Sequence, residues 1–194
     1  MPLVWAGRIE HLSDWRDILR PRRAAGIHER GRTILGEAGS GKSSLVHRIA
    51  SEASEEGDWV TPQLRIPSGS DPIKRVASAL LTLADTAGLP AAREQRIGDL
   101  LRRVESVAAS GISLSVRAQD GAEPYTALTD LLIEIGRAAT KRHAMVMIHI
   151  DEVQNITDEH TRSQLLTALG DALAHEEPTT VPGGLSVTSA LPIA

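Results

Sequence analysis

The stretch Gly36-Glu37-Ala38-Gly39-Ser40-Gly41-Lys42-Ser43 decides the interpretation of this chain, because it matches the pattern G-x-x-x-x-G-K-[ST] in full. A short β-prone run, residues 32–35, precedes it, and an apolar stripe at helical spacing follows it. Glycines in such a loop let successive backbone N–H groups curl around an anion, and the helix N-terminus adds its positive dipole end. The sequence therefore predicts a phosphate-binding loop, with Lys42 placed for the β- and γ-phosphates and Ser43 for Mg²⁺. The predicted nucleotide-binding residues of the loop are Gly36, Glu37, Ala38, Gly39, Ser40, Gly41, Lys42, Ser43 and Ser44.

A second motif supplies acidic groups. Residues 145–150 are nearly all apolar, which is typical of a central parallel strand, and Asp151 and Glu152 follow them. We expect Asp151 to hold the magnesium ion together with Ser43. Glu152 points elsewhere because strand side chains alternate, and we predict that it polarises the attacking water, with Lys42 as the other catalytic residue. The alternative for Glu152 is a solvated helix-capping acid.

This pairing makes a geometric demand on the fold. The Asp151 carboxylate has to lie close to the Ser43 hydroxyl, on a strand next to that of the loop. Without that contact the prediction of a magnesium-dependent site for phosphate hydrolysis fails.

The composition bounds the kind of protein. The chain has 194 residues, of which 41% are hydrophobic and 24% charged, so it can form one domain with a sizeable core, and wholesale disorder is excluded. It has no cysteine, which excludes disulfides, thiolate zinc sites and a cysteine nucleophile. The apolar runs are too short to span a membrane, and the N-terminus has no secretory pattern. We therefore expect a soluble, cytoplasmic protein without a membrane partner.

The charge distribution argues against a dedicated nucleic-acid binder. The formal net charge is −4, whereas a domain that grips nucleic acid is usually strongly basic. A local excess of arginine remains, which is either a solvated surface or a contact for nucleic acid. It consists of Arg20, Arg22, Arg23, Arg30 and Arg32.

Helical and strand-like segments alternate along the chain. The spacing of apolar residues predicts helices over 10–20, from 41 onward, and over 73–87, 93–109, 125–142 and 158–175. It predicts strands over 32–35, 59–66, 112–116, 144–150 and 185–193, and a loop over 119–124. This alternation favours a single α/β domain over 1–194, a three-layer P-loop core with a mainly parallel sheet.

Other classes of phosphate-loop protein lack their motifs here. The N-K-x-D sequence with which GTPases bind guanine is absent, since the only asparagine, Asn155, precedes Ile156. No L-S-G-G-Q-like segment of transporter ATPases precedes the acidic strand. Small-molecule kinases seldom carry a Glu after the strand Asp, although they are not fully excluded. These absences favour an adenine nucleotide. We interpret His149 as a buried structural histidine rather than a catalytic one, and no histidine has metal-ligand spacing.

These motifs together resemble the AAA+ and STAND-like branch of P-loop ATPases, and are similar to bacterial AAA-family ATP-binding proteins of the origin-recognition type. The stretches that carry the resemblance are 5–10 (WAGRIE), the phosphate-binding loop, 150–154 (IDEVQ) and 185–192 (LSVTSALP). The resemblance implies ATP and Mg²⁺ as cofactors. It places Gly7 and Arg8 beside the adenine, so that 1–30 is an adenine-side segment and 31–194 the nucleotide-binding core. It makes Thr188 or Ser189 the sensor residue near the γ-phosphate.

The resemblance also implies missing parts. The family pattern continues with a fifth strand and a helical lid that carries a sensor arginine, whereas this sequence stops at Ala194. We therefore expect the strand before the loop to be an open edge, which invites pairing with a protein partner or a second copy. Hydrolysis is then expected to be slow without added parts.

Three functions follow as hypotheses. The leading one is an ATPase module that binds ATP with Mg²⁺ and hydrolyses it with water. The second is a nucleotide-dependent switch or scaffold that binds ATP or ADP and hardly turns over. The third is a DNA-transaction ATPase, which only the arginines near 20–32 favour.

Overall fold

The part of the chain that the computed structural model describes comprises residues 8–27, 30–37, 39–89, 99, 124–174 and 184–191. Its helices are α1 Ile9–Ser13, α2 Arg20–Ala24, α3 Lys42–Glu55, α4 Pro72–Thr86, α5 Pro124–Thr140 and α6 Glu159–Ala174. Its strands are β1 Arg32–Leu35, β2 Trp59–Val60, β3 Leu64–Arg65, β4 Met145–Asp151 and β5 Gly184–Leu191. The predicted helix over 93–109 and strand over 112–116 fall outside the described residues, apart from residue 99. None of the described helices combines the length and the apolar character needed to cross a membrane.

The strands form one parallel sheet in the order β1-β5-β4-β2, and β3 also pairs with β4. The predicted α/β fold of the P-loop type is confirmed. One detail of the prediction is wrong: the strand that ends in Asp151 is not next to β1, because β5 lies between β1 and β4. Helix α3 bridges this distance, since it starts after the loop that follows β1 and packs over both β5 and β4.

Strand β4 is the centre of the core, because all of its residues are buried. Val146, Ile148 and Ile150 belong to the larger apolar cluster, which also contains residues of α4, α5 and α6. Met147 belongs instead to a second cluster with α3 and the N-terminal helix, which is the continuous helical segment formed by α1, residues 14–19 and α2. The side chains of β4 therefore alternate between two helical layers, which gives the three-layer arrangement that the sequence predicts.

The N-terminal helix is longer than its sequence indicates. We expected it to end before Pro21, but it continues to Ala24 through a π-helical segment, Asp14–Leu19. A proline inside a helix has no N–H to donate, and its ring collides with the carbonyl four residues earlier, here Asp17. The wider π-helical turn contains that carbonyl, and it allows the chain to pass Pro21 without ending the helix.

Arg20, Arg23 and Arg32 of the arginine cluster are engaged within the fold. Arg20 Nε lies 3.0 Å from Asp58 Oδ2, and Arg32 Nε lies 2.9 Å from Asp14 Oδ2. Arg23 is buried. Burial raises the pKa of Asp58, partly offset by the hydrogen bond from the Met145 N–H and by Arg20. These ion pairs attach the N-terminal helix to β1 and to the turn between α3 and β2.

The strand predicted over 59–66 is divided into β2 and β3. Pro62 has no N–H for the ladder and lies between them. Thr61 holds this segment to β4, because its N–H donates to the Met147 carbonyl at 2.9 Å and its Oγ1 accepts the His149 N–H at 3.1 Å. The chain then returns to β4 at Leu64.

The other predicted elements are found close to their expected bounds. Helix α4 begins at Pro72, and the Asp71 side chain caps it by accepting the Lys74 N–H at 3.1 Å. Helices α5 and α6 and strands β4 and β5 differ from prediction by about two residues at an end, which is the usual uncertainty of a boundary.

Candidate functional site

The loop between β1 and α3 is folded around its own lysine. Gly39 and Gly41 adopt φ angles of +76° and +79°, in the left-handed region that favours glycine. Lys42 Nζ donates to the carbonyls of Gly36 and Glu37, each at 2.7 Å. The ammonium group is therefore held inside the loop. Ala38 lies outside the described residues.

The start of α3 brings Ser43, the last residue of the loop motif, to the end of β4. Ser43 Oγ donates to Asp151 Oδ2 at 2.8 Å, although the two residues lie 108 positions apart in the chain. Ser44 follows in the same first turn of α3. Asp151 is buried, and its Oδ1 accepts the N–H of Glu152 at 3.0 Å. The contact that the sequence interpretation demanded between Ser43 and Asp151 is present, even though their strands are not neighbours.

Glu152 occupies a tight turn directly after β4. Its φ of +63° lies in the left-handed region, which is uncommon for a residue with a side chain. It precedes a short 3₁₀ turn, Val153–Asn155, but its side chain makes no capping hydrogen bond there. Its Oε1 lies 3.6 Å from an Arg65 nitrogen, and its Oε2 accepts a hydrogen bond from Gln154. The alternative interpretation as a helix-capping acid is therefore wrong.

Of the remaining predicted site residues, the structure describes Arg8, Thr188 and Ser189. Arg8 donates to the carbonyl of Ser40 and so contacts the loop, while Gly7 is outside the described residues. Thr188 lies opposite His149 in the register of β4 with β5, and Ser189 lies opposite Ile150. The residue opposite Asp151 is Ala190. The sensor role of Thr188 or Ser189 stays a prediction, as does the place of Gly7 and Arg8 beside the adenine.

Sequence reasoning missed two polar residues at this site. Gln63 Nε2 donates to Asp151 Oδ2 at 2.9 Å, and Arg65 is the cation beside Glu152. Both belong to the segment predicted as one continuous strand. The signal that could have found them is Pro62, which indicates an interruption of the ladder where the chain passes the end of β4.

His149 is buried beside Asp151, with only 1% of its surface exposed. Burial lowers its pKa to about 4, and His47 acts in the same direction, while the negative charge of Asp151 opposes them. Its Nε2 has no hydrogen-bond partner within the part of the chain that the structure describes. This burial supports a structural histidine that stays neutral.

The depressed pKa of His149 predicts how stability depends on pH. In the unfolded chain the imidazole binds a proton below about pH 6.5, whereas the folded state resists protonation until about pH 4. Above pH 6.5 the titration of His149 therefore does not lower the free energy of unfolding. As the pH drops to 4, this titration lowers the free energy of unfolding by up to about 3 kcal/mol. Urea unfolding without added magnesium measures this slope. His149→Gln is expected to reduce the slope of the free energy of unfolding against pH, whereas the exposed control His11→Gln is expected to keep it. An equal slope in both variants contradicts the assignment of this pH dependence to His149.

Comparison with known families agrees with the geometry. The sequence pattern of the AAA ATPase domain family matches residues 4–181, which is most of the chain. The chain therefore belongs to the AAA ATPase domain family, and the expectation of an AAA-type P-loop protein is confirmed. Membership makes it a nucleotide-binding protein. Comparison with curated proteins finds no match. The narrower prediction of an origin-recognition-like or STAND-like branch stays a prediction.

Proposed function

We propose that this chain binds ATP together with Mg²⁺ and uses water to hydrolyse the bond between the β- and γ-phosphates. The observation that supports this most directly is the 2.8 Å hydrogen bond from Ser43 Oγ to Asp151 Oδ2. It joins the end of the phosphate-binding loop to the carboxyl end of β4, where a hydroxyl and a carboxylate can act on one divalent ion.

The residues present fit a magnesium ion. Mg²⁺ prefers oxygen ligands, and it keeps several waters and binds through one or two protein groups plus the phosphates of the substrate. Ser43 and Asp151 supply two such protein groups, a hydroxyl and a carboxylate, whose oxygens lie 2.8 Å apart. When bound, the ion would neutralise charge that develops on the β- and γ-phosphates.

The other residues of the site then have separate roles. Backbone N–H groups of residues 36–43 and the N-terminus of α3 hold the phosphate oxygens. Lys42 Nζ, which donates to two loop carbonyls, exchanges them for phosphate oxygens and stabilises the charge of the transferred group. Glu152 accepts a proton from the attacking water or orients that water.

Calorimetric titration tests this function. We expect ATP and ADP to bind, GTP to bind much more weakly because no guanine-binding motif is present, and Mg²⁺ to strengthen the binding of ATP. Titrations with each nucleotide, with magnesium and with EDTA, separate base preference from metal dependence. Equal binding of ATP and GTP contradicts the assignment of adenine, and the absence of ATP binding contradicts the proposal as a whole.

A second function has one observation in its favour. Both carboxylate oxygens of Glu152 already have partners, Arg65 on one side and Gln154 on the other. A base engaged in this way orients water poorly, which favours a switch that binds ATP or ADP and turns over slowly. The turnover number of the purified protein, and ADP retained through purification, separate this switch from an active ATPase.

A further inference from the structure

The carboxylate of Asp151 is held by three donors. Oδ1 accepts the N–H of Glu152 at 3.0 Å. Oδ2 accepts two hydrogen bonds, from Ser43 Oγ at 2.8 Å and from Gln63 Nε2 at 2.9 Å. The first two donors belong to motifs that any P-loop of this type contains, but Gln63 comes from the segment between β2 and β3.

A one-residue bulge directs Gln63 toward this carboxylate. Val60 pairs with Met147, and Leu64 pairs with Ile150, so that residues 61–63 stand against only 148 and 149. Had the register of β2 continued, residue 63 would pair with Ile150, whose side chain belongs to the core on the other face of the sheet. The extra residue turns Gln63 to the face that carries Asp151. Bulges often re-aim a side chain in this way beside an active site.

The bulge itself is held by specific bonds. Pro62 prevents regular pairing, and the two hydrogen bonds of Thr61 to β4 fix the chain immediately before Gln63. Leu64, immediately after it, is buried in the core. Gln63 is therefore anchored on both sides, although its own side chain is exposed and contributes little to packing.

From this geometry we propose that Gln63 is a positioning residue for magnesium and that it acts through Asp151. This proposal rests on the function proposed above. Its amide fixes the plane of the carboxylate and stabilises charge on Oδ2, the oxygen that also faces Ser43. Without this donor, Asp151 can rotate away from Ser43, and the ion loses a preorganised partner. Loss of a group that orients a metal ligand typically lowers metal affinity roughly 10- to 100-fold.

The test compares metal dependence rather than activity. Binding of a non-hydrolysable ATP analogue to the full chain is measured by calorimetry over a series of Mg²⁺ concentrations, and Mn²⁺ binding is followed by electron paramagnetic resonance. Gln63→Ala is expected to raise the metal midpoint, the Mg²⁺ concentration that gives half of the metal-dependent gain in analogue binding, roughly 10-fold or more. Its affinity for the analogue in EDTA is expected to remain that of the wild type, because the loop that holds the phosphates is unchanged.

Gln154→Ala is the matched control. Gln154 is an equally exposed glutamine at the same end of β4, but it contacts Glu152 instead of Asp151. We expect this variant to keep the wild-type metal midpoint. Circular dichroism and the melting temperature of both variants establish that each is folded.

The outcomes separate this inference from the function on which it rests. A wild-type chain that binds no ATP analogue overturns the proposed function and this inference with it. If the wild type binds with a clear metal dependence and Gln63→Ala has the same midpoint, the role of Gln63 is overturned while the proposed function stands. If Gln63→Ala weakens binding equally with and without metal, Gln63 acts on the loop and the positioning role is likewise overturned.

Discussion

Lys42→Ala is expected to abolish measurable binding of ATP. The ammonium group lies inside the loop and is the only side-chain cation among residues 36–43. A hydrogen bond to a charged group contributes about 1.5–3 kcal/mol, and each 1.4 kcal/mol changes affinity tenfold. Lys42 contacts more than one phosphate oxygen in the arrangement we propose, so we expect affinity to fall by at least about 100-fold. Calorimetry with ATP and magnesium measures the loss.

The scarcity of lysine makes the control simple. The chain contains two other lysines, Lys74 in α4 and Lys141 just after α5, and both are exposed. Lys74→Ala and Lys141→Ala make the same chemical change without touching the loop, and both are expected to keep wild-type affinity. Unchanged ATP affinity in Lys42→Ala would overturn the assignment of residues 36–43 as the phosphate-binding loop.

Glu152→Gln is expected to separate binding from hydrolysis. The substitution keeps the size of the side chain and its contact with Gln154 but removes the group that accepts a proton from water. General acid–base catalysis contributes typically about 10²- to 10⁴-fold to a rate, so we expect kcat to fall by that factor. ATP affinity should stay close to that of the wild type, because the partners of the Glu152 side chain among the described residues, Arg65 and Gln154, lie outside the loop. Single-turnover release of phosphate measures the change.

Glu159→Gln serves as the comparison for this variant. Glu159 is exposed and begins α6, a few residues after Glu152, and we expect its substitution to leave turnover unchanged. Retained turnover in Glu152→Gln removes the residue from its catalytic role. Faster turnover points instead to the contact with Arg65 as a brake on hydrolysis, since the neutral amide weakens that ion pair.

The meeting of Ser43 and Asp151 was predictable because both residues belong to local sequence patterns. The glycines and Lys42 lie within eight consecutive residues, and Asp151 ends an apolar run that is typical of a buried parallel strand. The contact between Ser43 and Asp151 then follows from the rule that the carboxyl ends of parallel strands meet at one edge of a sheet. Family membership supports the same architecture.

The features that sequence reasoning missed depend on tertiary context. Pro21 ordinarily ends a helix, and here a π-helical segment lets the chain pass it while Trp15 and Leu19 stay buried. The bulge at residues 61–63 arises because two short strands pair with β4 in different registers. Apolar periodicity gives no measure of register between segments more than 80 residues apart, and so periodicity alone could not assign Gln63 or Arg65 to the site.

The position of β5 has a consequence for how this protein acquires its site. The last of the described strands is inserted between β1 and β4, so that the two halves of the site are separated by a strand that comes later in the chain than both. Contacts of such long sequence separation require large loops to close, and they form late and slowly during folding. A nascent chain that has reached Glu152 therefore already holds the three donors described at the Asp151 carboxylate, yet it cannot bring them together until β5 has emerged and taken its place.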